Sequence, residues 1–361
     1  MKLKIPESIL EIDPYVPGKP IEELEREYGI RDSIKLASNE NPLGPSPKAV
    51  EAVSKALLNL HRYPDGSGHD LIGKLADRVG VKPENIVIGN GSDDIIGILA
   101  TTFLRPGDEA VMPRPSFLMY DIAVKCMGAK PIAVPLKNLS MDLDAMAKAV
   151  TGKTRLVFIC NPNNPTGTCV SEEALESFVK QLPEHVITVV DEAYIEFARD
   201  LECGSVIKMV KDYPVAALRT FSKVYGLAGL RVGYGVMPAE MAGLVNRVRH
   251  PFNVNTLAQA GALAALEDVD YVQMTLKLVH EGLDFMFASL KEMGIKCFPT
   301  QTNFFLIDMG RNADEVYRQM LKEGVIVRSM TSYGYPEYIR ITVGLPEENQ
   351  RLLAALKKIR G

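Results

Sequence analysis

Five side chains of complementary chemistry stand at the ends of predicted strands in the middle of the sequence. Lys223 follows an apolar run, and Arg231 lies eight residues beyond it. Upstream, Asn164 begins an Asn-Pro-Thr-Gly stretch, and Asp191 closes another apolar run, three residues before Tyr194. These side chains supply an amine, a guanidinium, two neutral hydrogen-bonding groups (from Asn164 and Tyr194) and a carboxylate. Together they can hold and use pyridoxal phosphate. No other interpretation of the sequence uses all of these groups.

Each group has a definite use toward such a cofactor. A lysine at a strand end can form a Schiff base with an aldehyde. The carboxylate of Asp191 can pair with a protonated pyridine nitrogen and strengthen the ring as an electron sink. Tyr194 could reach the phenolic oxygen of the ring, and Arg231 would neutralise the phosphate through a bidentate contact. The alternatives, a surface lysine and a helix-capping aspartate, do not account for the neighbouring motifs.

The elements that must position these residues alternate between strand and helix. Short apolar runs predict buried strands at 86–89, 109–112, 131–134, 156–160, 186–190, 215–219 and 232–236. Helical stretches are predicted between many of them, at 92–104, 117–127, 142–150, 171–181 and 204–211. This alternation predicts an α/β fold with a mainly parallel, seven-stranded sheet between helices. Loops at the carboxyl ends of such strands line the ligand crevice.

The chain of 361 residues is too long for one ordinary core, so we expect more than one domain. Residues 1–34 are rich in proline and are predicted as an extended N-terminal arm, with a disordered tail as the alternative. Residues 35–240 would form the large domain. Residues 241–361 would form a smaller α+β domain, with long helices over 240–293, a closing helix from Pro346, and strands near 295–298, 303–308, 325–328 and 338–343.

Composition excludes several classes of function. Apolar residues make up 47%, charged residues 24%, and the formal net charge is −4, without a long Lys/Arg block, so a nucleic-acid partner is not expected. The five cysteines contain no C-x-x-C and fit free thiols in a reducing compartment. The five histidines lack metal-binding spacing, so no metal is predicted. No signal-peptide pattern or membrane-length apolar run is found, which favours a cytoplasmic location without a membrane partner.

A glycine-rich turn follows the first predicted strand of the sheet. Gly91, Ser92 and Asp93 open the next helix, and a turn of this kind aims backbone N–H groups at an anion. A plain strand–turn–helix remains the alternative. A dinucleotide fingerprint is incomplete because Asp94 replaces its third glycine. A nicotinamide oxidoreductase would also leave Lys223 unexplained.

Six further motifs extend the pattern over nearly the whole chain, at residues 14–20, 36–42, 62–65, 89–93, 325–328 and 338–344. Together with the residues above they resemble the fold-type-I, pyridoxal-phosphate-dependent aminotransferases of the aspartate aminotransferase superfamily. Within that superfamily the chain is most similar to the histidinol-phosphate branch. The resemblance implies the corresponding fold and pyridoxal 5′-phosphate as the cofactor.

The resemblance also implies roles around the cofactor. Lys223 would attach the cofactor and carry a proton, Asp191 would bind the pyridine nitrogen, and Phe117 would stack on the ring. The ring oxygen would be bonded by Asn164 and Tyr194. The phosphate would be held by a larger group, namely Gly91, Ser92, Asp93, Ser222, Arg231 and, from the neighbouring subunit of a homodimer, Tyr63.

On the substrate side, the resemblance implies binding by Tyr15, Asn39, Arg328 and Arg340. Arg340 would serve the carboxylate of glutamate in one half-reaction and the substrate phosphate in the other. The implied reaction is a ping-pong exchange of L-histidinol phosphate and 2-oxoglutarate for imidazole-acetol phosphate and L-glutamate, in histidine biosynthesis. A threonine-phosphate decarboxylase, an aromatic or broad-specificity aminotransferase and a non-catalytic cofactor-binding regulator are the alternatives.

Overall fold

The structure, a computed structural model, describes residues 3–15 and 17–360. Parts of the predicted arm (Met1, Lys2 and Val16) and of the predicted small domain (Gly361) lie outside the described residues. The strands are β1 (Ile34–Lys35), β2 (Ile86–Gly89), β3 (Glu109–Arg114), β4 (Lys130–Pro135), β5 (Thr154–Cys160), β6 (Ile187–Asp191), β7 (Val215–Thr220), β8 (Gly233–Val236), β9 (Lys296–Cys297), β10 (Phe304–Asp308), β11 (Val325–Ile326), β12 (Arg328–Ser329) and β13 (Tyr338–Thr342).

The α-helices are distributed along the whole described chain. They are α1 (Glu7–Leu10), α2 (Ile21–Tyr28), α3 (Pro47–Ala56), α4 (His69–Val79), α5 (Ser92–Phe103), α6 (Met119–Cys126), α7 (Leu143–Lys148), α8 (Glu172–Gln181), α9 (Ala239–Val248), α10 (Thr256–Leu266), α11 (Val269–Glu292), α12 (Ala313–Lys322) and α13 (Pro346–Arg360). Short 3₁₀ helices occupy Leu57–Asn59, Pro83–Asn85, Ile195–Phe197, Ile207–Lys211, Ala228–Leu230 and Thr331–Tyr333.

A seven-stranded sheet with the order β2-β8-β7-β6-β5-β3-β4 forms the centre of the molecule. Strand β8 runs antiparallel to both of its neighbours, and the other pairings in this sheet are parallel. The predicted α/β class with a mainly parallel, seven-stranded sheet is therefore confirmed.

Both faces of this sheet are covered by helices. In β5, Val157 and Ile159 pack into the hydrophobic cluster that includes residues of α4, α8 and α10. Leu156 and Phe158, which alternate with them, pack into a second cluster with α5, α6 and α9. A strand buried on both faces must be apolar throughout, which is why short uninterrupted apolar runs predicted these strands.

The carboxyl-terminal part of the chain builds a second sheet. It is antiparallel, with the order β12-β13-β10-β9. The predicted strand at 325–328 is divided between two sheets, because β11 pairs in parallel with β1 whereas β12 pairs with β13. The change of partner occurs at Val327, which is buried between the two segments.

Two expectations about local structure were wrong. The predicted helix at 204–211 is reduced to the 3₁₀ helix Ile207–Lys211, because Gly204 donates to the carbonyl of Val170 and a β-carbon on Gly204 would lie 2.3 Å from the Glu172 backbone. The predicted extended arm contains helix α2, whose Leu24 is fully buried in a cluster with Leu321. The amphipathic sequence of α2 stabilises the helix by burying that face.

Candidate functional site

The loops after four strands of the large sheet meet at one edge. Asn164 lies in the loop after β5, Asp191 is the last residue of β6, and Lys223 follows β7. Gly91 follows β2 and precedes α5. Because β5, β6 and β7 are parallel neighbours, their carboxyl ends converge on a cavity of about 240 Å³.

Lys223 lies half-buried in this cavity. Its Nζ donates to the carbonyl oxygen of Ser38 at 3.4 Å and sits 5.5 Å from the centre of the Tyr194 ring. Burial lowers the pKa of Lys223 to about 8, and the positive charges of Arg340 and Arg231 act in the same direction. The amine is therefore much closer to neutrality at physiological pH than an ordinary lysine.

Asp191 is buried at the floor of the cavity, with a relative exposure of 3%. Its Oδ2 accepts a hydrogen bond from the hydroxyl of Tyr120 at 2.9 Å, and its Oδ1 accepts from the backbone N–H of Ala193 at 3.2 Å. Burial raises the pKa of the carboxyl to about 6, and the two hydrogen bonds oppose that rise. A carboxylate placed here would gain from a cationic partner.

A chain of hydrogen bonds runs across the opposite wall. Nη1 of Arg340 donates to Oδ1 of Asn164 at 2.6 Å, and Nδ2 of Asn164 lies 3.5 Å from the hydroxyl of Tyr194. That hydroxyl also accepts from Nδ2 of Asn39 at 2.9 Å. Burial raises the pKa of the Tyr194 hydroxyl, so this hydroxyl stays neutral and can donate to a ligand. The hydrogen bonds fix these side chains relative to one another.

The turn after β2 is shaped for an anion. Gly91 has φ +90°, and a β-carbon there would lie 2.5 Å from Nη2 of Arg231. Nη1 of Arg231 lies 3.4 Å from the hydroxyl of Ser222, and Nη2 pairs with Asp93 at 2.8 Å. The amino-terminal end of α5, the serine hydroxyl and the guanidinium thus surround one point. Glycine at 91 leaves that point open to a ligand.

The residues around the cavity fit pyridoxal phosphate. The donors beside Gly91 match a phosphate, the buried carboxylate of Asp191 matches a pyridinium, and Lys223 matches an aldehyde. The buried Nε atom of Arg340 has no hydrogen-bond partner within the described part of the chain. An unpaired buried donor on a cation is costly, and an anionic ligand would satisfy it.

Most of the predicted site residues line this one cavity, namely Tyr15, Asn39, Ser92, Asp93, Phe117, Asn164, Asp191, Tyr194, Ser222, Lys223, Arg231, Arg328 and Arg340. Gly91 immediately precedes Ser92 in the chain. Tyr63 is not brought to the cavity of its own chain. Its ring is 83% exposed and stacks on Phe252, with the ring centres 4.8 Å apart.

Several residues at the site were missed by the sequence analysis. Tyr120 bonds Asp191, Ser38 contacts Lys223, and Tyr333 lines the cavity. Tyr120 lay within the predicted helix at 117–127, three residues after Phe117, so its proximity to the site could have been inferred from helical spacing. No local signal marks Ser38, whose carbonyl oxygen makes the contact.

Two kinds of feature are absent from the described residues. Across residues 3–15 and 17–360, no group of three or more His, Cys, Asp or Glu side chains is arranged to hold a metal ion. No helix in the same ranges has both the length and the apolar character needed to cross a membrane.

Known proteins resemble this chain over nearly its full length. The family model "Aminotransferase class I and II" matches residues 31–356. A histidinol-phosphate aminotransferase from Desulfotalea psychrophila is 51% identical, with 99% of this chain and 95% of that protein covered. A second, from Moorella thermoacetica, is 49% identical, with 99% and 93% covered.

Solved structures agree with these matches. The crystal structure of a histidinol-phosphate aminotransferase from Sinorhizobium meliloti, in complex with pyridoxal-5′-phosphate, superposes with a TM-score of 0.91. It is 29% identical and covers 97% of this chain and 96% of its own. A double mutant of the aspartate aminotransferase from Thermus thermophilus has the same fold, with a TM-score of 0.86, 22% identity and coverage of 99% and 100%. The chain therefore belongs to the class I and II aminotransferase family.

Proposed function

We propose that this protein is a pyridoxal-phosphate-dependent aminotransferase that exchanges L-histidinol phosphate and 2-oxoglutarate for imidazole-acetol phosphate and L-glutamate. One observation carries the proposal. A lysine with a lowered pKa shares a cavity with a buried carboxylate, Asp191, and a buried guanidinium, Arg340. The names of the two relatives that are about half identical over their full length support this choice of substrate.

The cofactor would be held by residues already in place. Arg231, Ser222 and the turn at Gly91 would take its phosphate, and Asp191 would pair with its ring nitrogen. Asn164 and Tyr194 would bond its ring oxygen, with Phe117 against the ring face. When bound, pyridoxal phosphate supplies an aldehyde that condenses with amines and a ring that withdraws electrons.

Lys223 would attach the cofactor and later move a proton. Its Nζ is the amine in the cavity with a pKa of about 8, which makes it a competent base near neutral pH. Once released by the incoming amine, Nζ would take the proton from the α-carbon of the substrate. The half-buried position of Lys223 leaves its amine within reach of a ligand in the cavity.

Arg340 would bind the anionic end of both substrates. Nη1 and Nη2 are engaged with Asn164 and with the carbonyl of Ala37 at 2.7 Å, which fixes the plane of the guanidinium and leaves Nε without a partner among the described residues. Arg328 and Tyr15 line the same end of the cavity and would add to the binding of a phosphate. A carboxylate and a phosphate both suit this geometry.

We further propose a homodimer in which Tyr63 completes the site of the neighbouring subunit. Tyr63 stacks on Phe252, and both are exposed, as are Leu58 and Leu60 close by in the sequence, with exposures of 83%, 44%, 83% and 57% in that order. An apolar surface of this kind is typical of a subunit interface. Covering it with a second copy would bury the ring stack of Tyr63 and Phe252.

The domain division and the compartment are also proposals. We propose an arm over 1–34, a cofactor-binding domain over 35–240 that contains the large sheet, and a small domain over 241–361 that contains the antiparallel sheet. The cysteines of the described chain are all free thiols, which supports a reducing, cytoplasmic setting.

An amino-donor screen tests the proposed function. The purified protein with pyridoxal phosphate is given 2-oxoglutarate and one donor at a time, namely histidinol phosphate, histidinol or phenylalanine, and glutamate formation is measured. Histidinol phosphate is expected to have the highest kcat/KM, because the phosphate would bind at Arg340 and Arg328. Equal turnover of phenylalanine would indicate a broad-specificity enzyme. Release of carbon dioxide from threonine phosphate without glutamate formation would overturn the proposed reaction.

A further inference from the structure

Tyr120 connects two residues that would contact opposite parts of the cofactor. Its hydroxyl donates to Oδ2 of Asp191 at 2.9 Å. The edge of its ring meets Phe117, with centres 5.7 Å apart and planes at 86°. Asp191 lies where the ring nitrogen would bind, and Phe117 lies where the ring face would rest. Tyr120 therefore contacts both the residue expected to pair with the ring nitrogen and the residue expected to pack on the ring face.

The position of Tyr120 is fixed from behind. Its ring stacks on Phe158 of β5, with centres 4.9 Å apart and planes within 7°. The side chain is 1% exposed, and α6 carries it against the sheet. A ring held in this way cannot turn its hydroxyl away from Asp191 without disturbing the core.

The hydroxyl of Tyr120 is one of two hydrogen-bond donors that favour the charged form of Asp191. Within residues 3–15 and 17–360, no lysine, arginine or histidine forms an ion pair with Asp191. Burial favours the neutral acid and raises the pKa of Asp191 to about 6, whereas the hydrogen bond from Tyr120 lowers it. The pKa of Tyr120 itself is raised well above its ordinary value by burial, so its hydroxyl remains a neutral donor.

We propose that Tyr120 is a positioning residue, which orients the Asp191 carboxylate toward the ring nitrogen of the cofactor and supports Phe117 beneath the ring. This inference rests on the proposed function. It assigns a role to a side chain that touches neither the lysine nor the substrate end of the cavity.

The test compares two ligands that differ at one atom. Pyridoxal phosphate and its 1-deaza analogue, in which a C–H replaces the ring nitrogen, are titrated into cofactor-free protein, and their Kd values are measured. Wild type is expected to prefer pyridoxal phosphate. In Tyr120→Phe, affinity for pyridoxal phosphate is expected to fall roughly 10- to 100-fold, the range found when a side chain that orients a ligating group is removed from a metal site. The affinity for the analogue should change by much less.

A purely structural role would give a different result. If Tyr120→Phe weakened both ligands equally, Tyr120 would act through packing alone, and the proposal would be overturned. Unchanged binding of both ligands would also overturn it. Tyr271→Phe is the matched control, because it removes another buried hydroxyl, bonded to the Gly44 carbonyl, away from the cavity. It should leave both Kd values unchanged.

A second variant and the wild-type titration separate the remaining outcomes. If Tyr120→Phe does not fold, Phe158→Leu removes the stacking support of Tyr120 without touching Asp191, and a smaller loss with the same preference is expected. Loss for both ligands alike in Phe158→Leu would count against the proposal. A wild-type protein that binds neither ligand would refute the proposed function itself, whereas equal binding of both would refute only the pairing at Asp191.

Discussion

Arg340 in β13 donates a 2.6 Å hydrogen bond to Asn164, which lies in the loop after β5. This bond ties the antiparallel sheet to the edge of the large sheet where the cavity lies. The cation expected to bind substrate is thereby fixed relative to the amide expected to bind the cofactor. Displacement of either side chain should affect both ligands.

The first prediction concerns the dual use of Arg340. Arg340→Gln is expected to reduce kcat/KM for both histidinol phosphate and 2-oxoglutarate, by roughly 10- to 100-fold each, because one charge-assisted contact is lost in each half-reaction. Separate half-reaction kinetics would measure the two effects. Arg318→Gln, on the exposed face of α12, is the control. A loss confined to one substrate would contradict the shared role.

A second prediction follows from the lowered pKa of Lys223. In cofactor-free protein, attachment of pyridoxal phosphate to Lys223 should increase with pH around a midpoint of about 8, because burial and then Arg340 favour the neutral amine. Borohydride reduction followed by peptide mapping would measure it, with exposed Lys322 as the internal reference. Arg340→Gln should move the midpoint to higher pH. Attachment that maps to another lysine would exclude Lys223 as the cofactor lysine.

The proposed sharing of the site between two subunits gives a third prediction. Tyr63→Ala and Lys223→Ala should each be nearly inactive as purified homodimers, since one lacks a phosphate contact and the other the amine. Mixing them with subunit exchange should restore part of the activity, because one of the two sites in the hybrid would contain both residues. Exchange would be followed by mass spectrometry of differently tagged subunits. No recovery after confirmed exchange would count against sharing of the site between subunits.

A fourth prediction concerns the stability of the cofactor-free protein. The folded-state pKa of Asp191, about 6, lies above its ordinary value of 3.8, so ionisation opposes folding. The penalty is present in full above pH 6 and disappears below about pH 3.8. Asp191→Asn should therefore stabilise cofactor-free protein by about 3 kcal/mol at pH 8. Denaturant unfolding at pH 8 and pH 4 would measure the difference, which should shrink at the lower pH.

The same substitution should weaken cofactor binding. The amide introduced by Asp191→Asn would offer no negative charge to a pyridinium, so the variant is expected to lose affinity for pyridoxal phosphate while gaining stability without it. Such opposite changes are typical of residues kept for function at a cost in stability. A variant that is both less stable without cofactor and unchanged in affinity would contradict this account.

Sequence patterns were informative where burial fixes the residue type. The strands of the large sheet were predictable because both of their faces are covered by helices. The positions of Asp191 and Lys223 at strand ends were predictable because each follows an apolar run. Contacts that depend on tertiary structure were not predictable. The Ser38 carbonyl reaches Lys223 across 185 positions, and the close approach of Gly204 to Glu172 prevented a helix that local propensity favoured.

The contact between Arg340 and the carbonyl of Ala37 joins residues 303 positions apart. A polypeptide still emerging from the ribosome holds Ala37 long before Arg340 is synthesised. The end of the cavity that contains Arg340 should thus be completed only when translation reaches β13, and premature termination before β13 should yield chains without this guanidinium. Such chains, when they extend beyond Arg231, would retain the residues proposed to hold the cofactor, which all precede residue 232, and would lack the cation proposed to bind substrate.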